Sequence, residues 1–264
     1  MTFVKTANKI PVVMTVAGSD SGGGAGIQAD LKVFSALNVF GTTAITCITA
    51  QNPAKVAGVD AIDSAMVALQ MKTVFSAFPV KAVKTGMLYS TGVIRVVAHE
   101  LARKKLNILV VDPVMIATSG GRLIQKHAFI AMCSEILPLA TVITPNIPEA
   151  EQLANSRITT LDEMKNAAMT IQKKFGAACV LKGGHLDLKT GLNKDDVLDV
   201  LCCGRDITEF RVRRVITSST HGTGCRFSAA LTAYLAKGAP LHTAVGMSQK
   251  FVAHTLQDQL YVGK

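Results

Sequence analysis

Short apolar runs recur along this 264-residue chain, and between them apolar residues return every three or four positions. The runs at 12–17, 43–50, 80–85, 107–111, 141–144 and 178–182 are rich in Val and Ile and almost continuously hydrophobic. Strands of a parallel sheet covered on both faces read this way, whereas half-exposed strands alternate. The intervening segments predict helices over 24–38, 63–77, 91–105, 124–136, 147–154 and 161–175. In the first of these, Ile27, Leu31, Phe34 and Asn38 fall at helical spacing. Two further helices are predicted at 224–237 and 241–260. The steady alternation predicts one doubly wound α/β unit. It breaks at 186–216, where a polar stretch precedes two runs, 197–202 and 207–212, that read as a hairpin around Gly204. The chain contains no linker, internal repeat or low-complexity segment.

Every predicted parallel strand ends in a polar or glycine cluster. The clusters are Gly18-Ser19-Asp20, Gln51-Asn52, Lys84-Thr85-Gly86-Met87, Asp112-Pro113-Val114-Met115, Thr144-Pro145-Asn146 and Lys182-Gly183-Gly184-His185. Open α/β sheets bind ligands at the carboxyl ends of their strands. Six clusters therefore point to one binding edge.

Composition narrows the class. Hydrophobic residues make up 49% and charged residues 17%, which suits a large folded core and argues against disorder. The net charge of +10 suits an anionic ligand such as a nucleotide. Nucleic acid is not expected as a partner, because aromatics are 5%, Trp is absent and the basic residues are scattered. The clusters at 103–105 and at Arg211, Arg213 and Arg214 read as solvated surface. Six cysteines at 47, 133, 179, 202, 203 and 225 form no CxxC pair, so zinc is not expected and a reducing cytoplasm is. No apolar run reaches membrane-spanning length, and Asp112 interrupts the longest candidate.

The sharpest chemical signal is Thr220-His221-Gly222-Thr223-Gly224-Cys225, which runs into a helical pattern. Glycine lets backbone approach a ligand closely, and the N–H groups of a first helical turn attract an anion. Cys225 is expected at the positive helix end, where a thiol's pKa falls. His221 either supports this turn or transfers a proton. The stretch 18–26 follows the first strand and opens a helix, yet it lacks both the Walker and the Rossmann spacing. It suits a glycine floor under a small planar substrate. Asp30 shares a helical face with Ile27 and Phe34 and needs a partner there, either substrate or nearby backbone N–H groups. Asn146 and Glu149 lie three apart at a helix start; they can hold a hydrated Mg²⁺ or cap the helix. Lys182, at a strand end, can neutralise a nucleotide phosphate. Gln51 offers a donor and an acceptor that match an exocyclic amine beside a ring nitrogen.

Taken together, segments 17–37, 48–52, 84–88, 112–115, 144–150, 181–185 and 219–225 resemble the ribokinase-like superfamily, and most closely its hydroxymethylpyrimidine/phosphomethylpyrimidine kinases of thiamine biosynthesis. The resemblance covers nearly the whole chain. It implies a single domain over 1–264, with a three-layer α/β/α fold, a mostly parallel central sheet and a small hairpin near 197–212. It implies ATP-dependent phosphorylation of an aminopyrimidine alcohol and then of its monophosphate, with Mg²⁺ accompanying ATP. Cys225 would take the hydroxymethyl proton or help bind the phosphoryl group, and Gly222, Thr223 and Gly224 would form the anion hole. Asn146, Glu149 and Asp112 would serve the metal, and Lys182 with Asn146 the nucleotide. Gly18, Asp30, Gln51, Met87 and Val114 would line the pyrimidine pocket. A homodimer is expected, and no membrane partner. Pyridoxal kinase activity on the same fold is the rival reading, and a non-catalytic nucleotide sensor is another. Arg226-Phe227 and Cys202-Cys203-Gly204 depart from what relatives carry at those positions.

Overall fold

The computed structural model describes residues 10–52, 54–115, 126–184, 195–217 and 221–257. Among these residues one sheet contains β1 (Val12–Asp20), β2 (Phe40–Asn52), β3 (Lys55–Ala61), β4 (Val80–Thr85), β5 (Leu109–Val111), β6 (Val142–Ile143), β7 (Ala178–Lys182), β8 (Asp196–Cys203) and β9 (Asp206–Arg213). Its spatial order is β3-β2-β1-β4-β5-β6-β7-β8-β9. Neighbours from β2 to β7 are parallel, while β3, β8 and β9 extend the two edges antiparallel. The central strands are buried on both faces, which is why their sequences are continuous apolar runs.

The helices are α1 (Gly26–Ala36), α2 (Ser64–Ala77), α3 (Thr91–Lys104), α4 (Lys126–Ala131), α5 (Ile147–Ala154), α6 (Leu161–Phe175), α7 (Thr223–Ala236) and α8 (Leu241–Gln257). Helix α4 continues through a wide π turn, Met132–Ile136, and a tight 3-10 turn, Leu137–Leu139. Met71, Ile94, Leu153, Met164 and Ile171 from α2, α3, α5 and α6 pack with Met14, Val83 and Ile143 on one face of the sheet. Phe34 of α1 and the alanines of α7 pack on Val13 and Ala82, and Leu231 and Val245 of α7 and α8 pack on Val110 and Val180, covering the other face. The three layers expected from the sequence are present.

Strand β3 was not expected. Its residues are almost all exposed or half-exposed, and it is held by backbone pairing to β2 rather than by a buried face. Hydrophobic patterning cannot signal such a strand. The hairpin is also longer than expected, and it continues the main sheet because β8 pairs with β7. Strand β1 runs on past Ala17 to Asp20, with a register slip between Ala17 and Ser19. The predicted starts of α4 and of the polar stretch after Gly184, together with His185 and Thr220, lie outside the described residues.

Candidate active site

The carboxyl ends of the parallel strands open on one cavity of about 270 Å³. Position along this cleft follows strand order. From β1 to β8 is five strand steps, roughly 24 Å at ~4.8 Å a step. That length accommodates a small ring and a nucleotide end to end.

Gly18, Gln51, Met87 and Val114 line the end over β1, β2, β4 and β5. Gly18 sits at the slip in β1, and a Cβ there would come 2.7 Å from Cys47 Sγ and 3.0 Å from Met87 Cε. A side chain there would have to displace Cys47 and Met87, so glycine keeps this floor low. Thr46 Oγ1 donates to the Met87 carbonyl at 2.6 Å and fixes the neighbouring wall. The Gln51 amide oxygen accepts from Thr49 Oγ1 at 3.2 Å, and its nitrogen lies 3.4 Å from His221 Nε2.

Asp30 is not at this surface. It is fully buried beneath the cleft, where both carboxylate oxygens accept from Lys84 Nζ at 2.8 Å and Oδ2 also accepts from Thr15 Oγ1 at 2.6 Å. The helical pattern correctly demanded a partner for Asp30. The partner is a lysine 54 residues away, neither the substrate nor the local backbone. Lys84 itself reaches the cavity wall. Burial alone would depress its pKa, but the Asp30 carboxylate, with Cys225 and Asp112 further off, reverses this and holds the ammonium above the usual lysine range.

Two helix starts converge at the middle of the cleft. Helices α2, α3, α5 and α6 begin with side-chain caps from Asp63, Ser90, Asn146 and Thr160. Helices α1 and α7 begin without one, and Ala25, Gly26 and residues 222–225 line the cavity. At α1 the N–H of Ala25 bonds Asp20 and that of Gly26 bonds Cys225, so the start of α7 is where first-turn N–H groups can meet an anion. Gly222 has φ of +76° and runs against the Gly24 carbonyl, so both its conformation and its space exclude a side chain. The glycine loop between β1 and α1 is held by Asp20, whose carboxylate accepts from the N–H groups of Gly22, Gly24 and Ala25. His221 Nε2 donates to Asp20 Oδ2 at 3.0 Å and so ties this loop to the anion turn. Burial works against the Asp20 charge, but His221 and the backbone donors keep its carboxyl below the usual range. His221 therefore has a supporting bond in this structure.

Cys225 corrects one expectation. Its sulfur accepts a hydrogen bond from Gly26, and the Lys84 ammonium favours its thiolate, yet burial dominates and pushes the thiol up to about 11. Position at a helix start lowers a thiol's pKa only where water or cations replace the lost solvation.

Beyond Cys225 lies a row of charged groups. Lys182 Nζ donates to Asp112 Oδ1 at 2.9 Å and sits under the anion turn, since a Cβ on Gly224 would come 3.3 Å from it. Asp112 Oδ1 also accepts from Thr144, and Oδ2 accepts from Ser228 at 3.1 Å. Burial opposes the Asp112 charge, but Lys182 and Lys84 keep its carboxyl below the usual range. Asn146 and Glu149 form a reciprocal cap: Asn146 Oδ1 accepts from Glu149 N at 3.0 Å, and Glu149 Oε2 from Asn146 N at 2.9 Å. Both line the cavity as well. Burial first, with Asp112 adding to it, pushes Glu149 up to about 7, although Lys182 pulls the other way. Among the described residues no three His, Cys, Asp or Glu groups converge as a protein-only metal cage.

The far end is apolar and is walled by Val197 and Val212 of the hairpin and by Val252, Ala253 and Leu256 of α8. Phe227 is buried nearby against Val110, Val142 and Val180, so the unusual residue after Arg226 packs as core. Arg211 pairs with Glu209 at 2.7 Å on the surface, as expected, whereas Arg213 and Arg214 reach the cavity. The sequence reading also missed Asp20, Lys84, Asp199 and Gln249. Lys84 stood in a flagged strand-end cluster, but nothing local marked it as buried.

A sequence model of the phosphomethylpyrimidine kinase family matches residues 20–264. The hydroxymethylpyrimidine/phosphomethylpyrimidine kinase of Haemophilus influenzae is 45% identical over 258 residues, which is 97% of this chain and 95% of that protein. The thiamine biosynthesis bifunctional protein of Geobacter sulfurreducens is 41% identical over 93% of this chain, but the chain spans only 49% of its length. Among solved structures, the ADP complex of Bacillus subtilis pyridoxal kinase superposes with a TM-score of 0.86 at 36% identity, covering 96% of this chain and 94% of that one.

Proposed function

The chain belongs to the phosphomethylpyrimidine kinase family, and from that premise we propose that it transfers the γ-phosphoryl group of ATP to an aminopyrimidine alcohol and then to the resulting monophosphate. The observation that carries this reading is the single cleft whose middle is formed by two uncapped helix starts, with a flat ring floor on one side and an apolar slot on the other. The ring rests on Gly18 beside Gln51, Met87 and Val114. The purine enters between the hairpin and α8, and its phosphates reach Lys182, Asn146 and the turn at Gly222, Thr223 and Gly224.

Phosphoryl transfer needs in-line positioning and stabilised charge on the equatorial oxygens more than covalent help. The N–H groups of the anion turn are fixed before substrate arrives, so they stabilise that charge without reorganising. Cys225, at the same turn, receives the hydroxyl proton as thiolate. The thiolate is the minor form at neutral pH, but a thiolate whose acid lies near 11 is a strong base, and Lys84 is the cation that favours it.

The donor set fits Mg²⁺. This ion keeps several waters and takes one or two carboxylates plus phosphate oxygens, so it needs no protein-only cage. Glu149 would hold it, with Asp112 Oδ2 and Asn146 alongside; bound there, the ion would neutralise phosphate charge. Replacing Glu149 by Ala is expected to raise the Mg²⁺ concentration needed for half-maximal rate severalfold. An unchanged requirement removes Glu149 from the metal.

Six unpaired cysteines suit a reducing compartment, and the cytoplasm is part of this reading. Among the described residues no helix is long and apolar enough to cross a membrane. Exposed Ile48, Met66 and Leu69 on β2 and α2 support a homodimer, which light scattering tests. Pyridoxal also bears a ring hydroxymethyl group, and the likeness to pyridoxal kinase keeps it as the competing acceptor. The deciding experiment is ADP release from Mg²⁺-ATP with hydroxymethylpyrimidine and with pyridoxal. A higher kcat/KM for the pyrimidine is expected, and a higher value for pyridoxal overturns the assignment.

A further inference from the structure

Asp199 and Gln249 make a buried polar contact that the reaction as described does not use. Asp199 on β8 is 3% exposed and Gln249 on α8 is 5% exposed. Asp199 Oδ1 accepts from Gly183 N at 3.0 Å, directly after Lys182. Asp199 Oδ2 accepts from Gln249 Nε2 at 3.0 Å, and the same nitrogen donates to the Phe210 carbonyl of β9 at 3.1 Å. Two side chains thus join the end of β7, both strands of the hairpin, and α8. Both also line the cleft.

The placement is informative. The walls of the apolar slot are Val197 and Val212 on the hairpin and Val252 and Leu256 on α8. Those two walls also meet through non-directional packing, such as Phe210 against His242 with ring centroids 4.8 Å apart. Apolar contacts resist separation but allow sliding; a directed hydrogen bond to a carboxylate fixes both distance and register. Burial pushes the Asp199 carboxyl up to about 6, although the Gly183 and Gln249 donors and the Lys182 ammonium all favour its charge. The donors bonded to it are neutral, and a buried carboxylate held that way disfavours the fold, so an apolar pair would serve packing alone better.

We propose that Asp199 and Gln249 are positioning residues for the nucleotide: they set the width of the slot that holds the base and fix the Gly183 backbone so that Lys182 is aimed at the phosphates. This rests on the nucleotide placement given above. The contact acts on ATP alone, because the ring floor at Gly18 and Gln51 lies on the opposite side of the anion turn.

The test uses the full chain and the variants Asp199→Asn and Gln249→Met. Asn keeps an acceptor for Gly183 N–H, but its amide nitrogen faces that of Gln249. Gln249 must then turn over and release Phe210. Met keeps the length of Gln249 and removes both of its bonds. Each variant is expected to weaken ADP binding, measured by titration calorimetry without acceptor, about tenfold, and to raise KM for ATP similarly. KM for the acceptor should stay within about twofold. The preference for ATP over GTP should narrow in both variants, since a loosened slot discriminates bases less. Asp199→Asn should also be no less heat-stable than the native chain above pH 6, which separates weak binding from poor folding. An ADP affinity within about twofold of native in both variants overturns the proposal, as does an equal rise in both KM values. Because the ADP titration needs no acceptor, failure of the acceptor assignment leaves this result readable.

Discussion

Replacing Asp30 by Asn separates a structural ion pair from a substrate contact. The carboxylate receives two bonds of 2.8 Å from Lys84 and one of 2.6 Å from Thr15, with every partner fully buried. Asn preserves shape but removes the one counter-charge bonded to the Lys84 ammonium. Removing one partner of a buried pair costs about 3–5 kcal/mol, a large share of a total stability of ~5–15 kcal/mol. At roughly 2–4 °C per kcal/mol for a chain of this size, the unfolding midpoint should fall by about 6–20 °C. The double variant Asp30→Asn with Lys84→Met removes the orphaned charge and should recover most of that loss, because apolar replacement of a buried pair is often neutral. Thermal unfolding followed by circular dichroism reads the stability, and calorimetric titration with the pyrimidine reads binding. If Asp30→Asn keeps its midpoint within about 2 °C yet loses tenfold or more in pyrimidine affinity, the carboxylate belongs to the substrate pocket and the ion-pair argument is wrong.

Cys225→Ala should lower kcat by about 10²–10⁴-fold with little change in either KM, as loss of a proton acceptor does. In the native chain kcat/KM should climb between pH 7 and 9, because a thiol near 11 yields more thiolate with every step; a flat profile removes the thiolate from the reaction. Gln51→Leu leaves the polar edge of a buried aminopyrimidine unpaired, at about 1–3 kcal/mol per group. Pyridoxal, lacking the amine, should lose less, and equal losses for the two rings refute that contact. Burial puts the Asp199 carboxyl at about 6 in the folded chain against an ordinary 3.8, so the folded state holds the proton more tightly. Its contribution to stability is full below about pH 4, falls as pH rises toward 6, and amounts to about 3 kcal/mol by ~1.4 kcal/mol per unit. Asp199→Asn should flatten this slope in urea unfolding, with a net gain above pH 6 of about 2 kcal/mol after ~1 kcal/mol for the lost Phe210 bond; an unchanged slope refutes the assignment.

The places where chemistry occurs were legible because they coincide with breaks in hydrophobic patterning. Six strand ends carried polar clusters, and those at 84–87 and 144–146 run into helices that the structure places almost residue for residue, α3 and α5. Asn146 and Glu149 could be read as a cap because capping is local, with the partners three positions apart. The cap and a place on the cavity wall turned out to be the same atoms' neighbourhood. Strand β3 escaped because it buries no stripe. The seating of Phe227 and the reach of Arg213 and Arg214 also depend on packing that the sequence does not display.

Electrostatics was the part least visible in the chain, for a reason of distance. Asp30 meets Lys84 across 54 residues, Asp112 meets Lys182 across 70, Asp20 meets His221 across 201, and Asp199 meets Gln249 across 50. Each bond joins different elements, so no window of sequence contains both partners. The consequence reaches function. Lys84 and Lys182 are the two ammonium groups deepest in the cleft, and each already faces an aspartate. The deepest part of the cleft is thus close to charge-balanced before ATP arrives, and there the oriented N–H groups at the start of α7 join Lys182 in attracting phosphate. Fixed dipoles add to Lys182 without the grip of a further bare cation. They stabilise charge as it spreads over the moving phosphoryl group, and they hold the doubly charged product less tightly when it has to leave.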